Sequence, residues 1–183
     1  MKKILMILLL ACQAHATAVT DEAKIEKYVE DLYKLESSQH EIVRSIIAYE
    51  PEKGLATEML TIAWKESNFG KWPINITDGK YGSFGIYHIR LDYALIRNKI
   101  NTSWGKSRYT EKLLYDFNVS SAECSSILLY WTRYYKGKKG DDLLLHTFAS
   151  YNGGYKLSKQ AYDYGHDALL RYKAIQKWIA SKD

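Results

Sequence analysis

Apolar residues recur along most of this chain at steps of three and four, and that period constrains the fold more than any other feature. Ile25, Val29, Leu32 and Leu35 form one such stripe over about 22–36. Ile42, Val43, Ile46 and Ile47 form a second, behind the capping-box sequence Ser38-Gln39-His40-Glu41, with Pro51 and Gly54 as its punctuation. Leu55, Met59 and Ile62 form a third over about Leu55 to Asn68, with Gly70 placed to stop it. This spacing puts apolar groups on one face of an α-helix, so the segments bury cleanly only as helices. Helical patterns also cover about Ile86 to Ile100, Ser121 to Tyr135, Asp141 or Asp142 to Tyr151, and Asp167 to Ala180. Residues 101–120 read as a polar link, and Lys136 to Gly140 as a turn. The stretch from Trp72 to Gly85 departs from the pattern. It is rich in Gly and β-branched residues, and Asp78-Gly79 is a hairpin signal. The expected fold is mostly α: a single helical domain with a short β-like hairpin or loop insert.

The N-terminus reads as an export signal. Met1-Lys2-Lys3 supplies positive charge, Ile4 to Ala11 an apolar core, and Ala14-His15-Ala16 a small-x-small cleavage site. Residues 1–16 are thus expected to be removed, leaving 17–183 as the folded domain in the periplasm or secreted. A second reading takes Leu9-Leu10-Ala11-Cys12 as a lipoprotein signal ending at Ala11, with the domain lipid-anchored through Cys12. The apolar run falls short of the about 20 residues of a membrane-spanning helix. The sequence has two cysteines, so loss or lipidation of Cys12 leaves Cys124 without an internal disulfide partner. A chain of this length buries roughly 70% of its unfolded surface and folds without staples. No Cys/His spacing suits a metal. The formal charge of +5 includes Lys2 and Lys3. This mild basic bias suits an anionic polymer, and no basic face interleaved with aromatics points to nucleic acid.

Glu66 is the residue with the clearest chemical promise. It continues the Leu55, Met59, Ile62 stripe into the last turn of its helix. A carboxyl group there loses hydration, which favours its neutral form, and cleavage of a glycosidic bond needs a protonated acid near neutral pH. Spacing alone equally allows a half-exposed Glu66 paired with Lys65 or another cation.

Three segments in order add to this: Glu66-Ser67-Asn68-Phe69, Gly82-Ser83-Phe84-Gly85-Ile86-Tyr87-His88-Ile89, and Ser150-Tyr151-Asn152-Gly153-Gly154. Together they resemble the lytic transglycosylase catalytic domain of the soluble (Slt) type, in the lysozyme-like superfamily, over about Leu55 to Ile179. Glu66-Ser67 matches that family's catalytic pair, and Tyr151-Asn152-Gly153-Gly154 its Tyr-Asn-x-Gly motif. Tyr172 stands where the family carries a late Tyr. Two positions depart: Tyr87-His88 replaces the family's Met-Gln, and Gly79 stands where many relatives have Ser, with Ser83 close by. His88 donates and accepts as Gln does, and it also titrates.

The resemblance implies a lysozyme-like α+β fold, with an N-terminal helix (22–36) packed on a catalytic core (39–180). It implies an exported enzyme that cleaves the MurNAc-β-1,4-GlcNAc bond of peptidoglycan and leaves 1,6-anhydromuramyl ends. Glu66 is the implied single acid and base. Tyr151 would orient Glu66, and Tyr172 would bring its hydroxyl near. Ser67, Ser83, Tyr87, His88 and Asn152 would contact sugar, and Gly82, Gly85 and Gly154 would shape the backbone. No metal or organic cofactor is implied, and the partner is the glycan strand, bound by a monomer. Small enzymes of this family often serve secretion, conjugation or phage machines. Two alternatives carry distinct expectations: a lysozyme-type hydrolase of the same bond using Asp78, and an inactive peptidoglycan-binding protein, for which the His88 replacement is the support.

Overall fold

The computed structural model describes residues 20–49 and 54–182. The export signal, its cleavage site, Cys12 and Pro51 lie outside the described residues. The described chain is a bundle of helices with one small sheet, as the apolar periodicity predicts. Helix α1 spans 20–33, followed by α2 (Ser37–Tyr49) and α3 (Ala56–Ser67). Strands β1 (Ile74–Asn75), β2 (Ser83–Phe84) and β3 (Ile89–Arg90) come next. They are followed by α4 (Leu91–Arg97), α5 (Ser103–Tyr115), α6 (Phe117–Tyr134), α7 (Gly140–Gly153) and α8 (Lys159–Ala180). Helix α3 packs against α2, α6 and α8, and α7 lies along α8. Met59, Leu60, Ile62 and Ala63 of α3 are buried at the centre with Leu32, Ile46, Leu128, Phe148 and Ile175.

The insert is the expected hairpin with one more strand. The strands pair antiparallel in the order β1-β2-β3, with Asn75 opposite Ser83 and Phe84 opposite Ile89. That third strand displaces the expected helix from Ile86. Gly85 to His88 forms a turn closed by His88 N–H donating to the Gly85 carbonyl at 3.1 Å, and α4 starts only at Leu91. Gly85 has φ +81, and a Cβ there would lie 2.2 Å from the Leu113 carbonyl oxygen. The turn therefore packs onto α5 by way of a residue with no side chain.

Other boundaries move for reasons visible in the caps. The start of α2 uses Glu36 rather than Ser38: Glu36 N–H donates to Gln39 Oε1 at 2.8 Å, the return half of a capping box two residues upstream of the expected one. Helix α3 ends at Asn68, as expected, although the left-handed stop begins on Asn68 itself at φ 51, two residues before Gly70. The expected polar link holds α5, capped by the Thr102 side chain. Helix α6 follows at once, capped by Asp116. Only Leu113 of α5 is buried, so this helix has almost no apolar stripe to read. Lys136 to Gly140 is the expected turn, and α7 begins at Gly140 with Asp141 and Asp142 in its first turn rather than at its cap. Helix α8 begins eight residues before Asp167, at Lys159, where the Ser158 side chain accepts from Ala161 N–H. Inside that added length is Gly165, where a Cβ would meet the Leu145 carbonyl oxygen at 2.7 Å and Ala149 Cβ at 2.9 Å. The missing side chain lets α7 and α8 approach closely.

Candidate active site

Glu66 sits in the last turn of α3 with its side chain only 17% exposed. Each carboxyl oxygen has a partner. Tyr164 of α8 donates its hydroxyl to Oε1 at 2.5 Å, and His88 Nδ1 lies 3.2 Å from Oε2. Burial, then the charge of Glu66 and the bond to it, holds the Tyr164 phenol well above its ordinary range, so Tyr164 keeps the hydrogen that it donates to Glu66. Lys65, the nearest cation in sequence, turns away. Its Nζ bonds Asp167 Oδ2 at 2.7 Å and lies 4.5 Å from the centre of the Tyr164 ring.

Asp167 anchors this side of the site. It accepts from Tyr28 of α1 at 2.5 Å, from Lys65 of α3, and from Arg171 one turn on at 3.1 Å, with Lys24 of α1 at 3.0 Å. Burial works against its charge, but the bonds from Lys65 and Tyr28 and the charges of Lys65 and Arg171 outweigh it and hold the carboxyl well below its usual range. This one carboxylate thus ties α1 and α3 to the turn of α8 that follows Tyr164.

On the opposite side His88 has φ +45, a left-handed conformation unusual for a residue with a side chain. Its Nε2 is 2.6 Å from the Trp72 carbonyl oxygen. Trp72 is held in turn by its own N–H, which donates to the Ser67 carbonyl at 2.9 Å. Burial opposes the charged imidazole, but the hydrogen bonds to Glu66 and to the Trp72 carbonyl, with the charges of Glu66 and Asp78, raise its pKa above the ordinary value.

Two clefts are lined by members of the Glu66–His88 pair. One, about 490 Å³, is lined by Glu66, Trp72, Gln39, Lys71 and Arg171 together with the end of α1. The other, about 710 Å³, is lined by His88, Tyr151, Asn152, Gly154, Tyr130, Trp131 and Tyr155. Glu66 lines the first cleft, and His88, in contact with it, lines the second. The second cleft is rich in aromatic faces: Tyr130, Trp131 and Tyr155 line it and, with Tyr134 behind them, pack mutually edge-on or stacked at 5.0–6.4 Å. Tyr130, Tyr134 and Tyr155 remain exposed.

Several expected roles are corrected by this geometry. Tyr151 donates its hydroxyl to the Tyr87 carbonyl at 2.9 Å rather than to Glu66; it secures the turn that carries His88. The tyrosine on Glu66 is Tyr164. Tyr172 lies eight residues further along α8, roughly 12 Å by helix rise, where it feels the charges of Glu58 and Asp141, packs 6.1 Å from the Phe148 ring and accepts from Gln176. Ser67 is fully buried. Its hydroxyl lies 2.6 Å from the Ile86 carbonyl and accepts from Gly70 N–H at 2.8 Å. It therefore fastens the end of α3 to the Gly85–His88 turn instead of meeting sugar. Tyr87 is fully buried with its hydroxyl 3.1 Å from Ser121 Oγ, a core side chain. Ser83 is buried too, with its hydroxyl on Asp78. Asn152 is exposed at the cleft wall. Gly82 and Gly154 have φ +84 and +64.

Sequence reasoning missed Tyr164, Asp167 and the Trp72 carbonyl, and it offered Lys65 as a partner of Glu66 rather than of Asp167. The available signal was Ser158, a good N-cap. A helix started there carries Ala161, Gly165 and Ala168 on its packed face with Tyr164 beside them. Among the described residues no three His, Cys, Asp or Glu side chains gather to hold a metal ion, and no helix is long and apolar enough to cross a membrane. Compared with protein families, with curated proteins and with solved structures, the chain finds no match in any of the three.

Proposed function

We propose that the chain is an exported peptidoglycan lytic transglycosylase in which Glu66 serves as acid and then as base. The observation that carries this reading is the setting of Glu66. It is a largely enclosed carboxyl group at a polar cleft, held by a tyrosine and by a histidine that lines an aromatic-rich cleft, with Lys65 diverted to Asp167. A cleft at the acid and a second at its histidine partner suit a polymer that must be gripped on both sides of the bond to be cut. Aromatic faces such as Tyr130 and Tyr155 suit pyranose rings.

The chemistry needs one carboxyl group. Protonated Glu66 gives its proton to the oxygen joining MurNAc to GlcNAc; the C–O bond breaks and positive charge develops at the muramyl anomeric carbon. The carboxylate then takes the proton of the muramyl C6 hydroxyl while that oxygen bonds the anomeric carbon. The 1,6-anhydro ring closes, Glu66 is protonated again and no water is consumed. Tyr164 contributes because its bond to Oε1 strengthens as Glu66 becomes an anion. A hydrolase would need a second carboxylate to direct water, and Asp78 is occupied by the Ser83 hydroxyl and lies 3.9 Å from Arg90 Nε.

The test is mass spectrometry of purified sacculi digested with residues 17–183, beside a Glu66→Gln variant. Anhydromuramyl ends are expected from the wild type, and a loss of about 100- to 10,000-fold from the variant. Reducing ends would reassign the reaction to hydrolysis, and equal turnover by the variant would remove Glu66 from it.

A further inference from the structure

The contact between Glu66 and His88 has a proton count that geometry restricts. Nε2 of His88 faces a backbone carbonyl oxygen at 2.6 Å, an atom that only accepts, so Nε2 carries hydrogen. Nδ1 faces Glu66 Oε2 at 3.2 Å, and two acceptors cannot bond without a proton between them. Oε1 already receives the Tyr164 hydroxyl hydrogen at 2.5 Å, from a phenol that burial and the Glu66 charge keep protonated. The proton of the pair therefore lies on the Oε2–Nδ1 line. The backbone independently marks His88 as specialised: its φ of +45 is a conformation that Gly or Asn adopts with less strain. The turn that imposes it is fastened from three sides: by Ser67 on the Ile86 carbonyl, by Tyr151 on the Tyr87 carbonyl, and by Gly85 against Leu113.

We propose that His88 and Glu66 hold a single proton between Nδ1 and Oε2, with the Trp72 carbonyl locking the histidine so that Nδ1 alone can take that proton from the acid or return it. His88 is thereby a positioning residue for the proton rather than a sugar contact. The inference rests on Glu66 as the reacting acid only for its catalytic consequence; the pair itself is a property of the folded chain. The charged and titratable groups around His88 are Glu66 from α3, Asp78 from the β1–β2 loop, Arg90 from β3, Tyr151 from α7, and Tyr164 from α8 through Glu66. Arg90 is engaged by Asp92 at 2.7 Å, and both tyrosines are held in their neutral forms. Glu66 is thus the direct partner with which His88 exchanges a proton. In the enzyme, the pair keeps its proton until the pH passes the raised histidine value, and Nδ1 holds that proton within reach of Oε2. With Gln at position 88 the proton has only Glu66 to sit on.

The test is a 15N and 1H NMR titration of the histidine rings in residues 17–183, with His88 assigned by its loss in His88→Gln. His88 is expected to titrate above 6.5 in the wild type, to carry its hydrogen on Nε2 when neutral, and to titrate lower than in the wild type in Glu66→Gln, where burial acts without the Glu66 charge. An unchanged midpoint in Glu66→Gln, or a neutral form protonated on Nδ1, overturns the proposal. On sacculi, the alkaline limb of the wild-type rate profile is expected to move to lower pH in His88→Gln; coincident profiles also overturn it. If the wild type releases no muropeptide at any pH, the proposed function fails while the titration still decides the pair.

Discussion

Replacing Tyr164 by Phe removes one hydroxyl and little else. The ring stays beneath Lys65 Nζ at 4.5 Å, and the packing of α7 on α8 around Gly165 is untouched. The lost contact is the 2.5 Å bond to Glu66 Oε1. A bond of this kind contributes about 0.5–1.5 kcal/mol to a neutral acceptor and about 1.5–3 kcal/mol to a charged one. Catalysis senses only the difference between ground and transition state. As Glu66 passes from acid to anion, that difference is about 1–1.5 kcal/mol, or about 5- to 13-fold in kcat, with KM little changed. The assay is anhydromuropeptide release from sacculi at saturating substrate, with Tyr172→Phe as the comparison, since the Tyr172 hydroxyl accepts from Gln176, away from Glu66. Thermal midpoints of both variants should stay near wild type. A Tyr164→Phe rate within twofold of wild type, or an equal loss in Tyr172→Phe, would refute the assignment of Tyr164 to the acid.

Other outcomes follow from the same contacts. Ser67→Ala leaves the Ile86 carbonyl and Gly70 N–H without their partner inside the fold, so thermal or urea denaturation should register a loss of about 1–3 kcal/mol; an unchanged midpoint would return Ser67 to the role of a sugar contact. Asp167→Asn leaves Lys65, Arg171 and Lys24 facing a neutral group and should destabilise by up to about 3–5 kcal/mol, the range for breaking a buried pair. Because the native carboxyl is held below its usual 3.8, its contribution is present above that pH and fades as pH falls through the native value, so the gap to wild type should close in acid; a gap independent of pH would show that shape, not charge, matters at 167. His88 has the opposite sign. Its folded pKa is raised, so its share of stability is complete below 6.5 and is lost as pH rises through the native value. Calorimetry should find wild type losing stability relative to His88→Gln across that rise, and parallel curves would contradict the pairing with Glu66.

Much of the architecture was legible in the sequence because it depends on neighbours only a few residues apart. The apolar period over α1, α2 and α3 specifies which face of each helix is buried whatever the partner, and Asp78-Gly79 marks a turn by local backbone chemistry. The same logic puts Glu66 at the buried edge of a helix end. Helix α5 escaped this reading because its one buried side chain, Leu113, makes no stripe, and the first turns of α8 escaped it because Gly165 sits inside them. Which groups converge on Glu66 was a different kind of question. Tyr151, Tyr164 and Tyr172 are chemically alike, and Ser67 is polar whether it meets sugar or the Ile86 carbonyl. The choice among them depends on distances between segments far apart in the chain: Tyr164 and Glu66 are separated by 98 positions. Periodicity states which way a side chain faces and says nothing of how near the facing helix comes. That distance is decided by packing, here by Gly165 admitting α7 against α8 and by the Gly85 turn pressed onto Leu113, which together leave room at the carboxyl group for one tyrosine and one histidine.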